Sequence, residues 1–214
     1  MKYHKLVENA KKPNGFWGKM MIKAMNKGHS SLTSWGLEHM NIEHTATVLD
    51  IGCGGGKTVD RLCSIVANGK VYGIDYSELS VKSSEKLNSK NILCNKAKIL
   101  QASVSDMPFE DNTFDNITAV ETYYFWPDKE NDVKEVFRVL KQGGTVMLLF
   151  EMLRTDDDPF KWEKVENMLN IKSVTPQEIR AVLESAGFEN INTYTKEGTT
   201  WLCATAQKPK DDEN

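Results

Sequence analysis

The sequence predicts an α/β protein with a doubly wound, mostly parallel sheet. Two observations carry this prediction: an apolar strand runs into a glycine-rich turn, and a second apolar strand ends in an acid about twenty residues later. A third observation is residue alternation near the end of the chain, which is typical of an antiparallel hairpin. We therefore expect parallel strands joined by helices, closed by an antiparallel final hairpin strand.

The first predicted strand, residues 48–51, is apolar apart from Asp50, as expected for a parallel strand buried on both faces. Four glycines follow within five positions, and they allow a tight turn that brings backbone N–H groups close to a ligand. Residues 57–64 then follow a helical spacing of apolar positions. The turn therefore lies at the carboxyl edge of the sheet, where ligands bind in open α/β folds.

The second predicted strand, residues 70–74, leads into Asp75. A carboxylate at this place can accept two hydrogen bonds from a ribose and repels a 2′-phosphate. Glycines alone are weak evidence, but strand, turn, helix, strand and acid in this register predict a nucleotide site. In a dinucleotide fingerprint a third glycine or alanine would stand where this chain has Lys57, so an NAD-dependent oxidoreductase is the disfavoured alternative.

Four segments together resemble a known family. Residues 50–56 read D-I-G-C-G-G-G and residues 73–77 read G-I-D-Y-S, which is similar to the first two motifs of class I S-adenosylmethionine-dependent methyltransferases. Residues 106–115 are similar to the family segment D-L-P-F-x-D-x-x-F-D, and residues 140–145 to its L-K-P-G-G turn. The chain most resembles the small-molecule (type 11) group that includes the ubiquinone and menaquinone C-methylating enzymes.

The resemblance implies a Rossmann-like fold and S-adenosyl-L-methionine as the cofactor, with S-adenosyl-L-homocysteine as product. It implies methyl transfer by direct in-line displacement to a small-molecule acceptor, whose reacting atom (O, N, S or C) stays open. A non-catalytic module that only binds the cofactor is the alternative. The implied cofactor-binding residues are Asp50, Gly52, Cys53, Gly54, Asp75, Tyr76, Ser103, Val104 and Glu121.

Ser103 departs from the family pattern, because many relatives carry an acid there that binds the adenine amino group. A hydroxyl can accept the same hydrogen bond, although more weakly than a carboxylate. The alternative is that Ser103 only ends a strand. We expect Ser103 and the backbone of Val104 to frame the adenine.

The segment after the fourth predicted strand, residues 116–120, supplies most candidates for catalysis and acceptor binding. In the resembling family this loop faces the transferred methyl group, and its aromatic residues can form walls for a flat or cationic acceptor. Glu121 would lie near the sulfonium or act as a base; the alternative is a salt-bridged loop carboxylate. The catalytic candidates are His29, Glu121 and Tyr124, and the acceptor candidates are Trp17, His29, Tyr123, Tyr124, Trp126 and Phe160.

His29 lies in a Gly-His-Ser turn, where its imidazole could accept a proton or simply hold the turn.

We expect residues 1–44 to form a helical lid, residues 45–208 the cofactor-binding domain, and residues 209–214 a disordered tail, with order lost from about Lys208. Later elements are a helix over 128–140, a strand over 146–151, an inserted helix within 152–173, a helix from 175 to 187, and a hairpin of 191–194 with 200–206.

The composition and charge of the chain argue against several classes of protein function. A net charge of −3 and a pI of about 5.9 argue against a nucleic-acid binder. No apolar stretch suits a membrane span or a signal peptide, so we expect a cytoplasmic protein without a membrane partner. The four cysteines and four histidines lack ligand spacing, which predicts reduced thiols and no metal. The expected partner is a small-molecule acceptor, and the expected state is a monomer or homodimer.

Overall fold

The computed structural model describes residues 30–210, which form a seven-stranded sheet with helices against both faces. The strands are β1 (Thr47–Ile51), β2 (Lys70–Asp75), β3 (Ala97–Gln101), β4 (Phe114–Val120), β5 (Leu140–Phe150), β6 (Glu189–Thr195) and β7 (Leu202–Gln207). The described helices are α1 (Ser30–Leu37), α2 (Lys57–Ile65), α3 (Glu78–Leu87), α4 (Ser89–Leu93), α5 (Lys129–Val139), α6 (Glu163–Leu169) and α7 (Pro176–Ser185), with a 3₁₀ turn at Tyr123–Phe125.

The strand order is β3-β2-β1-β4-β5-β7-β6. The first five strands are parallel to one another, and β7 is antiparallel to both β5 and β6. This arrangement confirms the predicted doubly wound, mostly parallel sheet with its antiparallel hairpin. The chain reverses direction across the sheet between β1 and β4, and such a switch point opens a crevice at the carboxyl ends of the strands.

The hydrophobic core lies on both faces of the sheet. On one face α5 and α7 pack over β4, β5 and β7, and on the other α2 covers β1 and β2. A third cluster joins α1 to β5 and β7 and includes Leu32, Trp35, Met147, Leu149 and Cys203. A Cβ on Gly36 would lie 2.7 Å from Leu149 Cδ2, so this helix approaches β5 closely. The described part of the predicted lid is thus integral to the core.

The inserted helix predicted within residues 152–173 is present at Glu163–Leu169, and Leu153 before it forms a parallel bridge with Val174. The structure corrects one detail near the end of the chain. Lys208 is buried rather than disordered. Its ammonium donates hydrogen bonds to Phe137 O and Leu140 O at 2.8 and 2.9 Å, because carbonyl groups at the end of α5 need donors.

The strand β5 begins at Leu140, earlier than predicted, because its first residues pair with β4 before an irregularity. Leu140 lies opposite Phe114, and Thr145 lies opposite Asn116, so the residues between them bulge out of the ladder. Gly143 has a φ of +72° in this bulge, as the turn predicted at 140–145 requires.

Candidate functional site

A cavity of about 400 Å³ lies at the carboxyl ends of β1, β2 and β4. Its volume is in the range of roughly 300–1,000 Å³ that small-molecule sites occupy. Four groups form its walls: the glycine turn after β1, the exit of β2, the segment after β3, and the segment after β4. The start of α1 and one face of α2 complete it.

Asp75 ends β2 and is buried. Its Oδ2 accepts the Gly54 N–H at 2.9 Å, and its Oδ1 accepts the Ser77 N–H at 2.8 Å. Desolvation raises the pKa of Asp75, and these backbone hydrogen bonds oppose the shift. The Ser80 side chain also hydrogen-bonds this carboxylate. A carboxylate has about four lone-pair positions, so about one remains for a ligand hydroxyl group. Asp75 therefore orients the glycine turn and keeps acceptor capacity for a ligand hydroxyl.

Gly52 and Gly54 both adopt left-handed conformations, with φ of +68° and +51°. A Cβ on Gly52 would lie 2.4 Å from Thr122 Cγ2, so this glycine is also required by packing. A Cβ on Gly54 would meet nothing closer than the Gly52 carbonyl oxygen, at 3.9 Å. The space beside Gly54 is open, and a ligand can approach the backbone there.

Asp50 lies at the floor of the cavity, where its Oδ1 accepts the Thr118 hydroxyl at 2.7 Å. Desolvation raises the pKa of Asp50 to about 7, with the charge of Asp75 adding to the shift. Cys53 also lines the cavity, and its buried thiol lies 3.8 Å from Ser84 Oγ. Burial raises the pKa of this thiol well above its ordinary value, so Cys53 is a neutral packing group.

Ser103 and Val104 line the same cavity after β3, together with Ala102. The Ser103 hydroxyl accepts the Ser105 N–H at 3.2 Å. Tyr76 follows Asp75 and covers this end of the cavity with a side chain that is 41% exposed overall. Burial of the hydroxyl, with the charge of Asp75, raises the pKa of Tyr76 to about 12, so the phenol stays neutral.

Glu121 follows β4 in a left-handed conformation, with a φ of +59°. Its N–H donates to Leu149 O at 2.9 Å, and its Oε1 accepts the Glu151 N–H. The Tyr124 hydroxyl donates to the same Oε1 at 3.4 Å and accepts the Met152 N–H at 3.0 Å. Desolvation raises the pKa of Glu121 to about 8. A non-glycine residue in this conformation is uncommon, and here the hydrogen bonds to Leu149 and Glu151 at the end of β5 hold it in place.

The aromatic residues after β4 divide between cavity and core. Phe125 and Trp126 line the cavity, and the Trp126 Nε1–H donates to Thr122 Oγ1 at 3.2 Å. Tyr123 lies in the core instead, with its ring 5.7 Å from Phe150. Tyr124 is absent from this cavity and contacts a second one beside it. Sequence alternation could not separate these roles, because a 3₁₀ turn points successive side chains in different directions.

The structure does not bring all acceptor candidates to the site. Phe160 is 73% exposed and lines neither cavity, since it lies among exposed turn residues before α6. Trp17 and His29 lie outside the described residues.

Several residues that line the cavity were not predicted from the sequence: Ser30, Thr33, Arg61, Thr122 and Phe125. Arg61 donates from Nη1 to Ser30 O at 2.9 Å and from Nη2 to Ser30 Oγ at 3.0 Å. This contact joins α2 to the start of α1. One feature of the sequence could have indicated Arg61: Thr58 and Arg61 lie three residues apart on α2, so two polar side chains share a face of this helix.

Across residues 30–210 no cluster of His, Cys, Asp or Glu side chains could hold a metal ion. The four cysteines, all within this range, are free thiols, and Cys94 is the exposed one. In the same part of the chain, the helices are too short or too polar to cross a bilayer.

Comparison with known proteins agrees with this geometry. Residues 49–148 match the family model described as a methyltransferase domain. The ubiquinone/menaquinone biosynthesis C-methyltransferase UbiE of Cronobacter sakazakii is 31% identical over 175 residues, covering 71% of this chain and 69% of that protein. The uncharacterized methyltransferase YdaC of Bacillus subtilis is 27% identical over 183 residues, covering 85% of this chain and 93% of that protein.

Among solved structures, a SAM-dependent methyltransferase from Aquifex aeolicus superposes with a TM-score of 0.68 at 21% identity, covering 88% of this chain and 97% of that chain. This likeness shows the shared fold. The relatives and the domain match show the family. The chain belongs to the class I S-adenosylmethionine-dependent methyltransferases and transfers a methyl group from S-adenosylmethionine to a small-molecule acceptor.

Proposed function

We propose that the cofactor lies across the glycine turn, with its ribose on Asp75, its adenine between Ser103 and Val104, and its sulfonium toward Glu121. Bound S-adenosylmethionine would supply an electrophilic methyl group on a positively charged sulfur; an electron pair of the acceptor would bond to that methyl carbon as the C–S bond breaks, and neutral S-adenosylhomocysteine would leave. The observation that carries the proposal is the Asp75 carboxylate, which two backbone N–H groups orient beside open space at Gly54.

The residues fit this cofactor chemically. Asp75 keeps about one acceptor position for a ribose hydroxyl beside its bonds from Gly54, Ser77 and Ser80, and Gly54 allows close approach of the backbone. Glu121 places an acid at the other side of the turn, anchored through the Glu151 N–H. A nearby cation stabilises the ionised form of an acid, so Glu121 is suited to favour a sulfonium over the neutral product.

Holding both reactants in line supplies most of the acceleration in such a reaction, potentially several kcal/mol, and no covalent intermediate with the protein is needed. Phe125, Trp126 and Pro127 form an apolar wall that excludes water from one side of the cavity. Glu121 is the proposed base where the acceptor must lose a proton, and His29 stays a candidate from the sequence.

We propose an acceptor with a largely apolar body. The wall of Phe125, Trp126, Val120 and Pro127 supports it. The name of the Cronobacter relative, a C-methyltransferase of ubiquinone and menaquinone biosynthesis, agrees with an apolar acceptor. The reacting atom stays open, and the cytoplasmic location and the monomeric or homodimeric state remain predictions from the sequence.

Transfer of an isotopically labelled methyl group tests this proposal. The protein is incubated with labelled S-adenosylmethionine and a metabolite extract, and products are identified by mass spectrometry. We expect a labelled product in the organic-solvent fraction that is absent with Asp75→Ala. Binding of the donor without any labelled product would favour the cofactor-binding module instead. Thermal stabilisation by NAD but not by S-adenosylhomocysteine would contradict the assignment of the cavity.

The proposed place of Glu121 has its own test. Because a sulfonium beside Glu121 favours its ionised form, the preference for S-adenosylmethionine over S-adenosylhomocysteine should increase as pH rises through about 8. Isothermal titration calorimetry at pH 6.5 and pH 9 measures both affinities. An affinity ratio that does not change with pH, or changes equally in Glu121→Gln, would place the sulfonium elsewhere.

A further inference from the structure

A second cavity of about 590 Å³ lies beside the cofactor cavity, under the segment that contains α6. The two cavities share Tyr76, Phe125 and Trp126, so the same aromatic side chains border both of them. The side chains of the second cavity differ in character. Its far side is polar and comes from the start of α5 and from residues 166–172.

Two ammonium groups, those of Lys129 and Lys172, belong to this polar side. Neither forms an ion pair within 4.0 Å with any side chain in the described range. Lys129 Nζ lies 5.6 Å from the centroid of the Tyr123 ring, which positions it without neutralising it. The side-chain amides of Asn167 and Asn170 line the same space, and between residues 30 and 210 they have no hydrogen-bond partner.

Glu166 is the one carboxylate among the described residues that line this cavity. Its Oε1 accepts the Ser173 N–H at 2.7 Å and also the Ser173 hydroxyl at 2.5 Å. Desolvation opposes its ionisation, but the hydrogen bonds from Ser173 and the charges of Arg154 and Lys172 bring the pKa of Glu166 below its ordinary value. The lining therefore carries one negative charge that Lys172 partly balances, a second positive charge at Lys129, and two exposed amides with no hydrogen-bond partner among residues 30–210.

We propose that the second cavity binds an anionic oxygen group of the methyl acceptor, a carboxylate or phosphate. This inference rests on the proposed function of the first cavity. The apolar body of the acceptor lies along Tyr76, Phe125 and Trp126, and its reacting atom extends into the cofactor cavity. Lys129 and Lys172 bind the anionic group, and the asparagine amides donate to its oxygens. The acceptor class is thus an amphipathic acid rather than a neutral hydrocarbon.

Paired ligands of equal shape test the proposal. The protein saturated with S-adenosylhomocysteine is titrated with 2-naphthoate and with 2-naphthamide, its uncharged counterpart, by isothermal titration calorimetry. We expect naphthoate to bind at least about tenfold more tightly, and the preference to weaken with added salt. Lys172→Gln and Lys129→Gln should each reduce the preference, and the double variant should remove it.

Lys134→Gln is the matched control, because Lys134 lies on α5 with Lys129 but is exposed and lines neither cavity. Lys172 is itself exposed, so its variant keeps the fold. Equal affinity for naphthoate and naphthamide, no binding of naphthoate, or an equal loss in Lys134→Gln would overturn the inference. If S-adenosylhomocysteine itself does not bind, the proposed function fails; if it binds while naphthoate shows no preference, only this inference fails.

Discussion

The two sides of the site are built in different ways. The side that follows β1 and β2 consists of a glycine turn and one carboxylate, Asp75, which accepts backbone N–H groups from 21 residues upstream and from two residues downstream. The side that follows β4 and β5 depends on side chains, with Glu121 and Tyr124 tied to backbone groups about thirty residues away. A site built from backbone groups suits a ligand that stays the same, whereas a site built from side chains can change its ligand when a residue is substituted.

The two sides meet at Gly52, which packs against Thr122. Thr122 also accepts the Trp126 indole N–H, so one contact connects the glycine turn with the aromatic segment. The cofactor side and the acceptor side are therefore in direct contact. Substitutions on one side can show how far the structure and ligand binding of the other side depend on it.

Loss of Asp75 should have the largest effect. Asp75→Ala removes a charged acceptor of the proposed ribose hydroxyls and releases the Gly54 and Ser77 N–H groups. We expect S-adenosylhomocysteine affinity to fall on the order of a thousandfold, about 4 kcal/mol, in calorimetric titrations. Glu85→Ala, exposed on α3, is the control and should leave affinity unchanged. A loss below about threefold would mean that the cofactor does not use this carboxylate.

Gly52→Ala should destabilise the fold by about 3 kcal/mol. The substitution combines left-handed strain of roughly 1–2 kcal/mol with overpacking against Thr122. Gly198→Ala separates the two causes, because Gly198 has a φ of +71° but nothing within 4 Å of its added Cβ. Urea unfolding of both variants gives the comparison. If they lose equal stability, the Thr122 contact is unimportant and the two sides are less closely joined.

Glu121→Gln should change how stability depends on pH. With a folded pKa of about 8 against an ordinary value of 4.5, the folded protein holds a proton that the unfolded chain releases. This contribution makes stability fall as pH rises from about 4.5 to about 8, and it is constant above that. A difference between 4.5 and about 8 corresponds to at most about 5 kcal/mol. Because Glu121 is half-buried and solvent screens it, we expect its removal to flatten the profile by on the order of 2 kcal/mol.

Urea unfolding at several pH values measures that profile. Asp50, with a pKa of about 7, contributes a slope of the same sign in wild type and variant, so only their difference reports Glu121. Glu130→Gln, an exposed acid on α5, serves as the control. Parallel profiles for wild type and Glu121→Gln would contradict a half-buried, proton-holding Glu121.

Tyr124→Phe should have the smallest effect, a destabilisation of about 1 kcal/mol, because the buried Met152 N–H loses its acceptor. Tyr123→Phe is the matched control, since the Tyr123 hydroxyl makes no hydrogen bond with any residue of the described chain. S-adenosylhomocysteine affinity should stay the same in both. A large loss of cofactor binding in Tyr124→Phe would mean that the acceptor side shapes the cofactor side directly.

The two sides also differ in how far the sequence predicts them. Asp50, Gly52, Gly54 and Asp75 line one cavity, because residues next to a buried strand inherit their positions from it, and their role in cofactor binding stays a prediction. Ser103 and Val104 also line it. The aromatic segment was only half predictable. Trp126 lines the cavity but Tyr123 does not, since the choice depends on a short 3₁₀ turn and on Phe150.

Local patterns thus sufficed for the parallel sheet, the glycine turn and the acid that orients it, because hydrophobic alternation and backbone conformation act over a few residues. Long-range packing was needed for everything that depends on distant partners. Arg61 binds Ser30 at the start of α1, and Glu121 binds the Glu151 N–H at the end of β5. Lys129 and Lys172 line one cavity because the segment around α6 lies beside the start of α5. Contacts between segments far apart in sequence leave no periodic signal along the chain, so folding itself brings the acceptor side together.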